Sequence, residues 1–192
     1  AMQGRASTVT DLGDGTVLRM GGEPEREAWI MAHARAHGFS VPLVHEIRVE
    51  GMVLERIEGP SMGQHLVRHP WLLPRYVRAL ADLHARLHEI PFEDAALVHF
   101  DLHPDNVILG MDGPVVIDWT NAHAGSPEAD LAMTWLIAAT SAGMPGRIAA
   151  RLFRSQVGRE SIRRGLADAK RFRLADPNVT PAEKEHVRRA HP

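Results

Sequence analysis

Residues 99–106 read His-Phe-Asp-Leu-His-Pro-Asp-Asn, five ionisable or amide side chains in eight positions, and a further aspartate, Asp118, follows a short apolar stretch. Asp101, Asn106 and Asp118 offer carboxylate and carboxamide oxygens, the donor set of a hard cation such as Mg²⁺. A carboxylate beside such a cation can also serve as general base. A solvated lead-in to a turn explains one or two polar residues here, not this density.

These side chains need elements that hold them together. Residues 107–109 and 115–117 are short β-branched-rich runs, and Asp112-Gly113 between them is a turn signal, so the stretch predicts a β-hairpin. Pairing symmetric about Asp112 would set Asn106 opposite Asp118, with Asp101 on the loop just before them. A second hairpin is predicted over residues 8–12 and 16–20 around Gly13-Asp14-Gly15, then a helix over 23–38 started by acids and Pro24 and stopped by Gly38. Strands over 43–49 and 52–55 follow. Residues 62–90 carry a helical pattern in which Val77, Leu80, Leu83, His84 and Leu87 share the core face. His84 and His88 stand one turn apart and could ligate a metal, although a packed core histidine and a helix-end residue describe them more simply. Helices are expected over 128–139, 143–175 and 181–190, with Pro177 to Pro181 as a break.

The spacing Asp101-x4-Asn106 with a later metal-holding aspartate is that of a kinase catalytic loop. His99-x-Asp101-Leu102-His103-x-x-Asn106 followed by Ile117-Asp118-Trp119 resembles the aminoglycoside phosphotransferase and choline-kinase-like family. The resemblance implies an α+β, protein-kinase-like two-lobed fold: a small antiparallel-sheet N-terminal lobe over residues 1–59 and a mainly helical C-terminal lobe over 60–192 carrying the catalytic hairpin. It implies Asp101 as base toward an acceptor hydroxyl, Asn106 and Asp118 as Mg²⁺ ligands, and ATP or GTP as phosphate donor. Residues 4–9 resemble half of a phosphate-covering loop, with Gly4, Ser7 and Val9 at the nucleotide. The strand that should precede it has no room near Met2, so a truncated N-terminal lobe is expected. Arg19 takes the place of the strand cation, Glu27 that of its helix partner, and the Glu55 carbonyl and Ile57 N–H that of the adenine hinge. Asp130 matches an aspartate that hydrogen-bonds the catalytic-loop backbone, and a first-turn acid at a helix start is its simpler reading.

Composition sets the remaining bounds. The 192 residues are 44% hydrophobic and 24% charged with no cysteine, so a thiolate metal site or a disulfide is excluded. No secretory signal or membrane-length apolar run is visible, and a cytoplasmic, membrane-free protein is expected. Residues 143–192 hold twelve Lys/Arg against five Asp/Glu. A basic solvated helical face accounts for that better than a nucleic-acid platform, which lacks interleaved aromatics. The partners expected are a nucleotide and a small hydroxylated substrate. Two rival readings stand beside the kinase: a catalytically degenerate nucleotide-binding or scaffold protein of the same fold, and a metal-dependent hydrolase using His99, Asp101 and His103.

Overall fold

Short strands from the first third of the chain build a five-stranded antiparallel sheet in the order β1-β2-β3-β5-β4 in the computed structural model, which describes residues 2–3, 8–141 and 143–192. The strands are β1 (Met2–Gln3), β2 (Thr8–Asp11), β3 (Thr16–Met20), β4 (Val44–Arg48) and β5 (Gly51–Glu55). The β2–β3 hairpin forms about the expected turn, with Asp11 opposite Val17 and Thr8 opposite Met20. A strand does precede the loop after all: Met2 pairs with Val9, so the edge that was expected to be missing is present as a two-residue strand.

Helix α1 (Pro24–Ala36) crosses this sheet. It starts with Pro24 and two first-turn acids, and ends where Gly38 takes a φ of +77° and the Phe39 N–H reaches back to the Ala34 carbonyl at 3.0 Å. That left-handed stop is open to glycine at little steric cost. The Gly59 to Pro60 connection leads to α2 (Met62–Arg68), whose first turn is closed by a capping box between Ser61 and Gln64. Pro70 interrupts the long helical pattern with a 3₁₀ turn, and α3 (Leu73–His88) follows, burying Val77, Leu80, Leu83, His84 and Leu87 as their spacing demands.

Three short strands escaped the sequence reading. β6 (Pro91–Phe92), β7 (Ala95–Val98) and the later β10 (His123–Gly125) form a separate sheet in the order β10-β7-β6. Between them, β8 (Val107–Gly110) and β9 (Gly113–Val116) form the central hairpin. Its register differs from the expectation by one residue. Gly110 pairs with Gly113 around a Met111-Asp112 turn, so Asn106 lies opposite Ile117, whose N–H donates to the Asn106 carbonyl at 3.0 Å. Asp118 stands two residues past the end of β9. The two-residue turn, with Gly113 at φ +124°, outcompetes the wider loop assumed from Asp112-Gly113.

Helices α4 (Pro127–Thr140), α5 (Met144–Val157), α6 (Arg159–Ala175) and α7 (Pro181–Arg189) complete the chain. The single helix expected over 143–175 is divided at Gly158, whose φ is +88°. One continuous apolar core joins the two lobes: Ile30, Met31 and Met52 of the sheet side pack in the same cluster as Met62, Leu87, Leu102, Trp119 and Leu136.

Candidate active site

A cleft of about 640 Å³ runs between the sheet and the hairpin, lined by Val9, Arg19, Glu27, Glu55, Ile57, Asn106 and Asp118 among others. Of the residues singled out for nucleotide or metal contact, only Gly4 and Ser7 are not among them, because both lie outside the described residues. Asp101 is not among the residues lining this cleft; it is tied to Asn106, which is.

Arg19 is the pivot of the sheet side. Its strand points it inward, where it is 5% exposed. Its Nη1 donates to Glu27 Oε2 at 2.8 Å, and its Nη2 donates to Asp118 Oδ1 at 2.9 Å and to the Thr120 hydroxyl. Thr120 in turn donates to Asp118 Oδ1 at 2.7 Å. No sequence signal marked Thr120, whose role is visible only once Asp118 turns to meet Arg19. Glu27 is buried, and among the described residues its Oε1 has no hydrogen-bond partner. Burial pushes its carboxyl up, against the pull of Arg19. Burial also pushes Asp118 up, but the Arg19 cation and the Thr120 hydroxyl outweigh it and hold Asp118 below the usual carboxylate value.

Asn106 ties the hairpin end to the loop. Its Nδ2 donates to the Asp101 carbonyl at 2.9 Å and to Asp101 Oδ2 at 3.2 Å. Both amide hydrogens are thereby spent on Asp101, which leaves the amide oxygen as the free donor atom. With one oxygen of Asp118 not engaged by Arg19 and Thr120, Asn106 and Asp118 present a carboxamide and a carboxylate oxygen, a set that fits Mg²⁺. Burial pushes the Asp101 carboxyl up, opposed by His103, whose Nε2 lies 3.7 Å from Oδ1; the balance stays above the usual value. The two aspartates are thus moved in opposite directions, the pattern of a proton acceptor beside a permanent anion.

Three non-glycine residues among those described have a positive φ, and two of them are here, the third being Glu93 between β6 and β7. Phe100 and Asp118 have φ of +60° and +61°, a left-handed conformation costly for residues with a side chain. Both precede or form the parts of the site that must be aimed.

His99 is fully buried, and its Nε2 contacts the Ile117 carbonyl at 3.1 Å, so it braces the loop against the strand leading to Asp118. Among the described residues, His99, Asp101 and His103 do not bring their ligand atoms together as a metal-binding group. Among the described residues, the group of three whose ligand atoms converge is instead His84, His88 and Asp130. Asp130 is occupied by the protein itself. Oδ2 accepts from His99 N–H at 3.1 Å and from His88 Nε2 at 2.9 Å, and Oδ1 accepts from Phe100 N–H at 2.8 Å. An oxygen with two donors already aimed at it has no lone pair directed to a cation. His88 is therefore a partner of Asp130 rather than a simple helix-end residue. Asp130 meets the backbone of the loop before Asp101, as its position in the motif implied. Burial would raise its carboxyl, yet His84 and His88 hold it well below the usual range.

At the hinge, the Arg56 N–H donates to the Gly15 carbonyl at 2.9 Å, and the Glu55 carboxylate accepts the Leu43 N–H at 3.0 Å. The Glu55 side chain is thus tied to the Leu43 backbone, and residues 55 to 57 line the cleft. Asp105, not singled out from sequence, also faces the cleft and accepts from the Ser61 hydroxyl at 3.4 Å beside the start of α2.

Residues 91–164 match the family model described as phosphotransferase enzyme family. No curated protein sequence matches the chain. Solved structures similar to it include aminoglycoside phosphotransferase APH(4)-Ia, at 14% identity and a TM-score of 0.71, covering 98% of this chain and 90% of that one. A thermostable mutant of that enzyme in ternary complex with AMP-PNP and hygromycin B aligns at 16% identity and a TM-score of 0.68, over 98% of this chain and 90% of that one. A choline/ethanolamine kinase family protein from Mesorhizobium loti aligns at 16% identity and a TM-score of 0.61, over 97% of this chain and 83% of that one. Residues 91–164 are thus similar to the phosphotransferase enzyme family, and the whole chain has the protein-kinase-like fold seen in the aminoglycoside phosphotransferase and choline/ethanolamine kinase structures.

Proposed function

We propose that the chain is a small-molecule kinase that moves the γ-phosphoryl group of ATP or GTP to a hydroxyl of a small acceptor. The observation that carries this reading is the orientation of Asn106. Both its amide hydrogens lie toward Asp101, so one residue positions the proton acceptor and turns an oxygen toward the cleft. Asn106 and Asp118 would hold Mg²⁺, which when bound neutralises phosphate charge. Arg19, oriented by Glu27, is placed to meet phosphate oxygens, and a guanidinium does so with two donors at once. The hinge backbone from Glu55 to Ile57 would take the base. The division into lobes would fall at Gly59-Pro60.

In the step itself the acceptor oxygen attacks the γ-phosphorus while the bond from phosphorus to the β–γ bridging oxygen breaks. The hydroxyl proton passes to the Asp101 carboxylate, and the nucleoside diphosphate leaves with the electron pair. Little covalent work falls on the protein, so positioning and charge placement dominate. The raised proton affinity of Asp101 suits this task.

The acceptor class follows from screening. Nucleotide consumption by the wild type, measured against a panel of hydroxylated metabolites and aminoglycosides with Asp101→Ala as control, tests the proposal. Acceptor-dependent consumption that Asp101→Ala loses supports it. Tight Mg²⁺-nucleotide binding with no consumption above that control for any acceptor favours the degenerate nucleotide-binding reading instead.

A further inference from the structure

We propose that Thr134 is a positioning residue of the phosphotransfer site, acting through the Leu102 carbonyl, with His84 as the group that fixes its hydroxyl. The proposal deepens the reading of Asp101 as the proton acceptor, on which its catalytic part rests.

Helix α4 places Asp130 and Thr134 one turn apart, on one face, both buried. From there they grip the catalytic loop on either side of Asp101. Asp130 takes the Phe100 N–H at 2.8 Å, and the Thr134 hydroxyl donates to the Leu102 carbonyl at 2.7 Å. The residue between them, Asp101, thus has a restrained neighbour in each direction. The restraint has something to hold, since Phe100 is left-handed at φ +60° and would relax if released.

Hydrogen counting gives His84 its part. A threonine hydroxyl has one hydrogen, and the Leu102 carbonyl can only accept, so that hydrogen lies toward Leu102. The 2.9 Å contact between His84 Nε2 and Thr134 Oγ1 must then be an N–H donated by the imidazole. This donation leaves the hydroxyl a single useful orientation. The same ring sets its Nδ1 3.4 Å from Asp130 Oδ2. One buried histidine therefore touches both grips, and α3, α4 and the loop become one unit behind Asp101. None of these residues lines the cleft, so Thr134 acts only through the loop it holds.

Threonine to valine keeps the shape and deletes the hydroxyl. The test uses the whole chain as wild type, Thr134→Val and Thr134→Ser, with three measurements: calorimetric affinity for Mg²⁺-AMP-PNP, amide hydrogen exchange over residues 99–106, and nucleotide turnover. The expectation for Thr134→Val is loop exchange about tenfold faster with α3 and α4 unchanged, as local opening without global unfolding requires. Nucleotide affinity should stay within about threefold while kcat falls about 10- to 100-fold with the nucleotide KM unmoved. Thr134→Ser should restore both loop protection and kcat. Should Thr134→Val not fold, Thr134→Ser against Thr134→Ala carries the same comparison of one hydroxyl. Loop exchange unchanged on loss of the hydroxyl, or a kcat undiminished in a wild type that turns over, overturns the proposal. A wild type that turns over no nucleotide, with the exchange difference intact, contradicts the kinase reading and upholds the positioning of the loop.

Discussion

Arg19 and Asp118, 99 residues apart in sequence, meet through an Nη2–Oδ1 contact of 2.9 Å at the junction of the sheet and the central hairpin. The same guanidinium holds Glu27 at 2.8 Å. A single strand arginine therefore neutralises a helix carboxylate that is otherwise buried and a hairpin carboxylate that is partly open to the cleft. Incoming phosphates would compete with Asp118 for Arg19, and a cation would take up the carboxylate so released.

Removing that pivot should cost both stability and binding. Arg19→Ala leaves Glu27 and Asp118 without their shared cation, and breaking a buried pair by removing one partner typically costs about 3–5 kcal/mol. Denaturant unfolding should show a loss of this order, and calorimetry should show weaker Mg²⁺-nucleotide binding. Arg19→Lys should keep part of the binding, since it retains charge but loses the two-pronged fork. Unaltered nucleotide affinity in Arg19→Ala would show that the strand does not face phosphate.

Acid stability should report His99. Burial lowers its proton affinity from 6.5 to about 4, against the pull of Asp130 and Asp118. The unfolded chain binds this proton below about 6.5 and the folded chain only near 4. Stability from the neutral ring is complete above 6.5 and lost as pH falls toward 4, about 3 kcal/mol in all. Unfolding measured from pH 7.5 to pH 4.5 should fall less steeply in His99→Gln than in the wild type, although the variant starts lower. Parallel curves would contradict the buried neutral ring.

Gly165 tests the helical packing. A Cβ there would run into the Glu128 carbonyl and the Ala129 nitrogen of α4. Gly to Ala in an open helix usually stabilises by about 1 kcal/mol. Here the sign should reverse, with Gly165→Ala losing about 1–3 kcal/mol through overpacking. A stabilised variant would mean that α4 and α6 do not approach this closely.

The sequence made the chemistry of the site more legible than its framework. Asp101, Asn106 and Asp118 stood out because oxygen donors crowd a loop between β-branched runs, and spacing alone carried them to one place. Arg19 and Glu27 needed the family resemblance, since a strand arginine and a first-turn acid are ordinary by themselves. The hairpin register slipped by one residue because Asp112-Gly113 fits several turn lengths, and only pairing chooses among them. Strands of two to four residues such as β6 and β10 are too short to show a period. Thr120 and Thr134 were invisible for another reason. Thr134 bonds the distant His84 and Leu102, and Thr120 bonds the distant Arg19 besides its neighbour Asp118, and a single threonine in a loop or a helix carries no local mark of such partners.

Metal dependence follows from the donor set. Without Mg²⁺, Asp118 would face phosphate charge directly, so nucleotide titrations should show tighter binding in Mg²⁺ than in EDTA. Equal affinity in both would remove Asn106 and Asp118 from the metal role.

The most direct test separates the two aspartates. Asp101 is held by Asn106 and is not among the residues lining the cleft, whereas Asp118 lines it and joins Arg19. Affinity for Mg²⁺-nucleotide and turnover should be measured side by side for Asp101→Asn and Asp118→Asn, with hydrolysis by water as readout where no acceptor is known. Asp101→Asn should keep nucleotide affinity and lose about 10²- to 10⁴-fold in rate, while Asp118→Asn should lose metal-dependent binding and rate together. Loss of Mg²⁺-nucleotide binding in Asp101→Asn with its retention in Asp118→Asn would contradict the assignment.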